Sequence, residues 1–319
     1  MSESRIPNRY TNEMPIERPV LFVNAGSRAG QENLAQAALH LENCGLKLAR
    51  AEAIEPDLFD DVIREEAANG SQVIFIGGGD GSQRIAAAAL KDTNTALGVI
   101  PLGTGNALAR DLGIPVDLAK ACETLVNGVI DTIDIGEANG EIFVNIASLG
   151  ITVDVAEKLD SGLKKIIGLF AYLGPLASAL EQATPFRALF QINGEITSFE
   201  TLVVVAGCGK TQGGVLPLPG PAGHQTGKLI AYALRGRDPL LLADMVFRLS
   251  GNSENYDDLL MTFEAEEMTI MAEPSQKAVI DGEPRLETPL KLKCLPRALK
   301  VLLPVSELED EAQNKIDPQ

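Results

Sequence analysis

The stretch VIFIGGGDGSQRIAAAAL, Val73 to Leu90, sets the architecture of this chain. An apolar run of strand character enters three glycines, passes Asp80, Gly81 and Ser82, and leaves through an alanine-rich segment of helical character. Glycine lets a backbone approach a ligand at little steric cost. The start of a helix offers unpaired N–H groups to an anion. A carboxylate such as Asp80 beside a phosphate calls for a metal ion or a proton, so the stretch points to phosphate handling with Mg²⁺. Two better-known loops are excluded. A dinucleotide loop needs glycine where Ser82 stands, and a P-loop ending at Gly209-Lys210-Thr211 needs glycine where Val204 stands. The GGVLPLPGP that follows Thr211 cannot start a helix, so Lys210 belongs to a turn.

A second unit repeats the pattern. ALGVIPLGTGNALARDLGIP, Ala96 to Pro115, is again an apolar run, then Gly103-Thr104-Gly105-Asn106, then a helical pattern. Thr104 and Asn106 are natural N-cap residues whose side chains also donate to phosphate oxygens. Either loop alone reads as an ordinary tight turn. The pair, with Asp80, reads as a phosphate site on one edge of a parallel sheet.

Upstream, PVLFVNA (Pro19–Ala25) predicts a strand, Gln31 to Gly45 a helix, Leu46 to Ala53 a second strand and Pro56 to Gly70 a second helix. Alternating strands and helices imply a parallel, helix-covered sheet. Residues 19–130 are therefore expected to form a nucleotide-binding α/β domain. From 131 to 297 short apolar runs between turns predict a β-sandwich domain, with the active site in the cleft between the two. Two helical pieces, Leu163–Leu180 and Pro239–Leu249, interrupt it. Ala298 to Pro304 reads as a last strand, open to rejoining the first domain over 298–305. Residues 1–18 and 306–319 read as flexible tails.

A formal net charge of −17 on 319 residues argues against nucleic-acid binding and against tight docking on an anionic bilayer. Cys44, Cys122, Cys208 and Cys294 form no C-x-x-C pair and read as small buried residues. The N-terminus lacks an apolar core of the secretory kind and no run of 18 apolar residues occurs, so a cytoplasmic setting is expected. His40 and His224 have no partner nearby in sequence and receive no chemistry.

GGGDGS, IPLGTGNALARDLGIP and VIDGEP, with Asn24, Ser27 and Gly30 ahead of them, resemble the motifs of the bacterial diacylglycerol kinase-like lipid kinases, relatives of sphingosine kinases and, more distantly, NAD kinases. The resemblance covers Pro19 to Pro304. It implies ATP- and Mg²⁺-dependent phosphate transfer to a lipid alcohol (a diacylglycerol, a sphingoid base or a related lipid). Gly77, Gly78, Gly79, Asp80, Gly81, Ser82 and Arg84 would lie on the ATP phosphates. Asn24, Ser27, Arg28, Gly103, Thr104, Gly105 and Asn106 would line the nucleotide. Asp80 would act through the metal, and Asp281 or Glu283 would take the proton from the acceptor hydroxyl. As residues alone, Asp281-Gly282-Glu283 reads as a hairpin turn.

The chain departs from the family pattern in places. Arg84-Ile85 stands where the family has Asn-Glu, and Arg84 either contacts phosphate or faces solvent. A second, structural metal turn is centred in the family on an aspartate before glycine; here it reads Gln225-Thr226-Gly227, without the carboxylate. These changes keep two alternatives open, a non-catalytic nucleotide-binding regulator and a kinase of a soluble alcohol. The expected partners are the lipid alcohol and transient contact with a membrane surface through LKKIIGLFAYLGPLASAL, weighed against burial of that segment. Self-association as a homodimer stays open.

Overall fold

The computed structural model describes residues 16–26, 30–150, 184–212, 216–217, 223–238, 241, 244–245, 248 and 258–305. Its first part runs β1 (Val20–Asn24), α1 (Gly30–Asn43), β2 (Arg50–Ile54), α2 (Phe59–Ala68), β3 (Val73–Gly78), α3 (Asp80–Leu90), β4 (Ala96–Pro101), α4 (Ala107–Asp111) and α5 (Leu118–Val126). β1 to β4 pair in parallel in the spatial order β2-β1-β3-β4. β1 and β3 are wholly apolar up to their polar or glycine ends and are buried along their length, as a strand covered on both faces requires. The β1–β2 crossover runs one way along the sheet and the β2–β3 and β3–β4 crossovers run the other, so right-handed connections put α1 on one face and α2 with α3 on the other. In keeping with that, α1 packs on α5 and α2 on α3. The strand order reverses between β1 and β3. That switch point opens a crevice at the C-terminal ends of the strands, where Asn24 and Gly78 stand.

The second part holds β5 (Val129–Ala138), β6 (Glu141–Phe143), β7 (Ile146–Gly150), β8 (Phe186–Ile192), β9 (Glu195–Thr201), β10 (Val203–Gly207), β11 (Thr211–Gln212) and β12 (Leu216–Pro217), then β13 (Leu229–Leu234), β14 (Leu260–Ala265), β15 (Glu267–Glu273), β16 (Lys277–Ile280), β17 (Glu283–Glu287) and β18 (Leu290–Leu303). One antiparallel sheet runs β14-β13-β10-β7-β16-β17. Alternate residues of its strands, among them Ala147, Leu149, Val204, Ala206, Ala278 and Ile280, share a core with Phe186, Phe190, Ile270 and Leu292 of the other sheet. Two sheets facing across such a core form the expected sandwich.

The last strand, left open to rejoining the first domain, does so and joins the two parts. β18 is antiparallel to β15 at Ile270↔Leu290 and parallel to β4 at Val301↔Leu97, so a single sheet runs through both. Leu290, Leu292 and Cys294 enter the sandwich core, and Leu299, Val301 and Leu302 enter the α/β core. A register shift between Leu295 and Leu299 lets one strand serve both, with Arg297 at φ 51°. Residues 16–18, expected within the flexible arm, are fixed: Ile16 packs on the first core, the Glu17 N–H donates to Gln72 and Arg18 pairs with Glu66. The second strand begins at Arg50 rather than Leu46, because Gly45 at φ 91° and the Leu46 N–H to Leu41 carbonyl bond extend the end of α1. Cys122, Cys208 and Cys294 are buried, while Cys44 is half-buried. The predicted helix Leu163–Leu180 and most of Pro239–Leu249 lie outside the described residues.

Candidate active site

The two glycine loops meet backbone to backbone. A Cβ on Gly103 would collide with the Gly79 Cα, so a side chain there would force the loops apart. Gly79 is the extended N-cap of α3, and Asp80 opens that helix instead of standing in a loop. Asp80 Oδ1 accepts from the Ala107 N–H at 2.6 Å and the Leu108 N–H at 3.4 Å. Asp80 therefore caps α4 from another element. Asn106 holds the N-cap position of α4, yet its φ is 51° and it makes no side-chain cap bond. Its amide instead closes the preceding turn, with Oδ1 accepting from the Gly103 N–H at 2.8 Å and Nδ2 donating to the Gly103 carbonyl at 2.9 Å. Across the switch point, Asn24 Nδ2 donates to Ser82 Oγ at 2.9 Å. Asn24, Gly77 to Ser82, Gly103, Gly105 and Asn106 thus gather around two helix starts, with Thr104 exposed between them. Ser27 and Arg28 lie outside the described residues.

Asp281 reaches this seam from the sandwich. Asp281 at φ 47° and Gly282 at φ 86° form the tight turn between β16 and β17, which pair at Ile280↔Glu283. The hairpin turn and the acidic motif are one object, because aspartate and glycine tolerate the left-handed region such a turn demands. The Asp281 carboxylate accepts three backbone N–H groups, from Val144 and Asn145 at 2.9 Å and Ile146 at 3.1 Å. Burial pushes its pKa up to about 6; the three N–H bonds oppose the shift and the nearby Asp80 charge adds to it. Asp80 is likewise shifted upward by burial, against its backbone N–H bonds.

Glu283 is held differently. It is 51% exposed, Arg285 donates to its Oε2 from Nε at 3.1 Å, and Arg84 lies 3.5 Å from the same oxygen. Arg84 does not face solvent, the second of the two sequence alternatives, since it is 8% exposed. Sequence reasoning did not single out Arg285 or the Val144–Ile146 amides, which no spacing links to the DGE turn. His224 also acquires a partner that the sequence hid. It is buried against Asp111 of α4, with Nδ1 3.7 Å from the carboxylate and Nε2 3.0 Å from the carbonyl oxygen. Thr211 donates its hydroxyl to Asp111 as well, so α4 is anchored to the first glycine loop at one end and to the sandwich at the other.

The residues suit a metal at one place and not at the other. Asp80 and Asp281 bring two acids toward each other, and Mg²⁺ ordinarily takes one or two carboxylates plus substrate phosphates. Among the described residues no group of three or more His, Cys, Asp or Glu gathers to hold an ion by itself. At the Gln225-Thr226-Gly227 turn the oxygens are already taken by nitrogen donors. Gln225 Nε2 donates to Asp131 Oδ2 at 3.1 Å and the Thr132 carbonyl at 2.9 Å, and the Gly227 N–H donates to Asp134 Oδ2 at 2.6 Å. A side-chain amide stands at that turn where the family has a carboxylate, and it donates to the neighbouring acids instead of adding a charge.

Residues 18–138 match the family model of the diacylglycerol kinase catalytic domain. Over that span the chain is similar to the diacylglycerol kinase-like lipid kinases. An uncharacterized protein of Synechocystis sp. is 30% identical over 242 residues, which cover 74% of this chain and 56% of that protein. The chain thus spans little more than half the length of that relative. A Staphylococcus haemolyticus protein named "Putative lipid kinase" is 28% identical over 244 residues, 75% of this chain and 78% of its own length. The crystal structure of a diacylglycerol kinase from Bacillus anthracis shares the fold at a TM-score of 0.74 and 22% identity, covering 91% of this chain and 98% of that one. Among the described residues no helix is long and apolar enough to cross a membrane.

Proposed function

We propose that this chain transfers the γ-phosphate of ATP to the hydroxyl of a lipid alcohol, diacylglycerol-like or sphingoid. The observation that carries the reading is the approach of Asp281, on the sandwich turn, to the paired glycine loops that hold Asp80. Phosphoryl transfer needs its charge neutralised, its nucleophile oriented and its groups in line. The backbone N–H groups at the start of α3 and the 103–106 loop supply donors for phosphate oxygens. Mg²⁺ arriving with the nucleotide would be held through Asp80 and would neutralise phosphate charge.

An alcohol is a poor nucleophile at neutral pH, so its proton must leave as the new O–P bond forms. Asp281 fits that role better than Glu283. It is half-buried, fixed by three N–H bonds and shifted up to about 6, near the working range of a base. Glu283 is committed to Arg285. The Asp281 carboxylate accepts the hydroxyl proton, the acceptor oxygen bonds to the γ-phosphorus, and ADP leaves with the electron pair of the broken bond.

The test is incubation with γ-labelled ATP and a total lipid extract, resolved by chromatography. Label in a lipid band supports the reading. Binding of ATP with no labelled product from lipids or soluble alcohols would replace it with the non-catalytic alternative.

A further inference from the structure

Arg84 stands one turn after Asp80 in α3, so the two side chains leave the helix on one face. Its side chain is 10% exposed, and its Nε–H is buried without an acceptor. Among the described residues its one ion pair is the 3.5 Å approach to Glu283 Oε2, an oxygen that Arg285 already holds from Nε at 3.1 Å and Nη2 at 3.0 Å. A guanidinium carries five N–H donors and a permanent charge, and burial without matching acceptors is expensive. The fold satisfies buried charge elsewhere: Glu66, 1% exposed, is filled by Arg18, Arg50 and the Ser71 hydroxyl. Arg84 is thus a buried cation with donors to spare, beside a carboxylate that has a better partner.

We propose that Arg84 binds a phosphoryl oxygen of a ligand in the cleft and gives up Glu283 as it does so, leaving Glu283 to Arg285. The inference rests on reading the cleft as a phosphate site and supplies a charged, forked contact that a neutral asparagine at this position cannot make. The planar fork of arginine matches a phosphate in a way that lysine, a point charge, does not. A nucleotide phosphate and a phosphate on the acceptor headgroup offer the same oxygens.

Metal-free calorimetry and thermal unfolding of the full chain with ADP, pyrophosphate and sn-glycerol 3-phosphate test this. R84M keeps the length and removes the charge. It is expected to melt no lower than wild type without ligand and to lose about tenfold or more in affinity for at least one anion, as a charge-assisted bond implies. R84K is expected to restore only part of the loss. A loss confined to ADP and pyrophosphate places the phosphate on the nucleotide; a loss confined to glycerol phosphate places it on the acceptor. E283Q removes the competitor and is expected to tighten the same anion severalfold. Unchanged affinity in R84M for all three anions, or unchanged or weaker binding in E283Q, overturns the proposal and leaves Arg84 a structural partner of Glu283. Anion binding through Arg84 without phosphate transfer would retain this inference and reject the kinase reading.

Discussion

The backbone N–H of Ala107 donates to Asp80 Oδ1 at 2.6 Å, and that bond joins the two glycine loops into one unit. A residue expected to act only through a metal also holds the fold together.

Substitutions at Asp80 should therefore separate the two roles. D80N keeps an oxygen for the Ala107 N–H and should melt near wild type while losing phosphate transfer. D80A loses the cap as well, a cost of about 1 kcal/mol, or about 2–4 °C in Tm for a domain of this size. Calorimetric melting beside an activity assay checks both. A D80A variant as stable as wild type would show that the cap contributes nothing.

Asp281 predicts a pH dependence with a definite sign. Its folded pKa is raised to about 6, above the usual carboxylate value. The stability it contributes is present at low pH and is lost as pH rises from about 4 through 6, by about 1.4 kcal/mol for each pH unit separating its unfolded and folded titrations. The stability of D281N relative to wild type should then improve over that window. Turnover should follow the opposite course, rising through about pH 6 as the base ionises. Urea unfolding and kcat across the window report the two trends, and a flat difference would exclude a raised Asp281 pKa.

The Asp111–His224 pair predicts a loss at a distance from the loops. H224A leaves the buried Asp111 carboxylate short of its neighbour and should cost about 1–3 kcal/mol, as for other buried groups stripped of a partner. The midpoint of urea unfolding measures it.

The Gln225 turn predicts indifference to metal. With nitrogen donors on Asp131 and Asp134, EDTA should leave Tm in the absence of nucleotide unchanged. A fall in Tm that Mg²⁺ restores would show that an ion sits there after all.

Much of the molecule was legible in local sequence. β1, β3 and β4 are apolar runs closed by Asn24, Gly77-Gly78 and Pro101, and each carries its own signal. The return of residues 298–305 to the first domain could be raised from sequence, but not that the same strand begins in the sandwich, because β18 divides its residues between two cores within 14 positions and no local pattern marks the change. Asp80 and Asp281 were readable from their motifs. Their fixing partners were not: the amides that hold Asp281 lie 135 to 137 positions away, and Asp111 lies 113 positions from His224. Arg84 was visible as a departure from the family pattern, but its burial depends on α3 packing beside β6 and the β17 turn.

The central claim is that Asp281 takes the acceptor proton in a phosphate transfer from ATP to lipid. The most direct measurement compares label transfer from γ-labelled ATP into a lipid extract by wild type, D281N and E283Q, with ATP affinity measured on each. The account predicts transfer by wild type, a loss of about 10²–10⁴-fold in D281N at unchanged ATP affinity, and a smaller loss in E283Q. Wild-type turnover by D281N would contradict it.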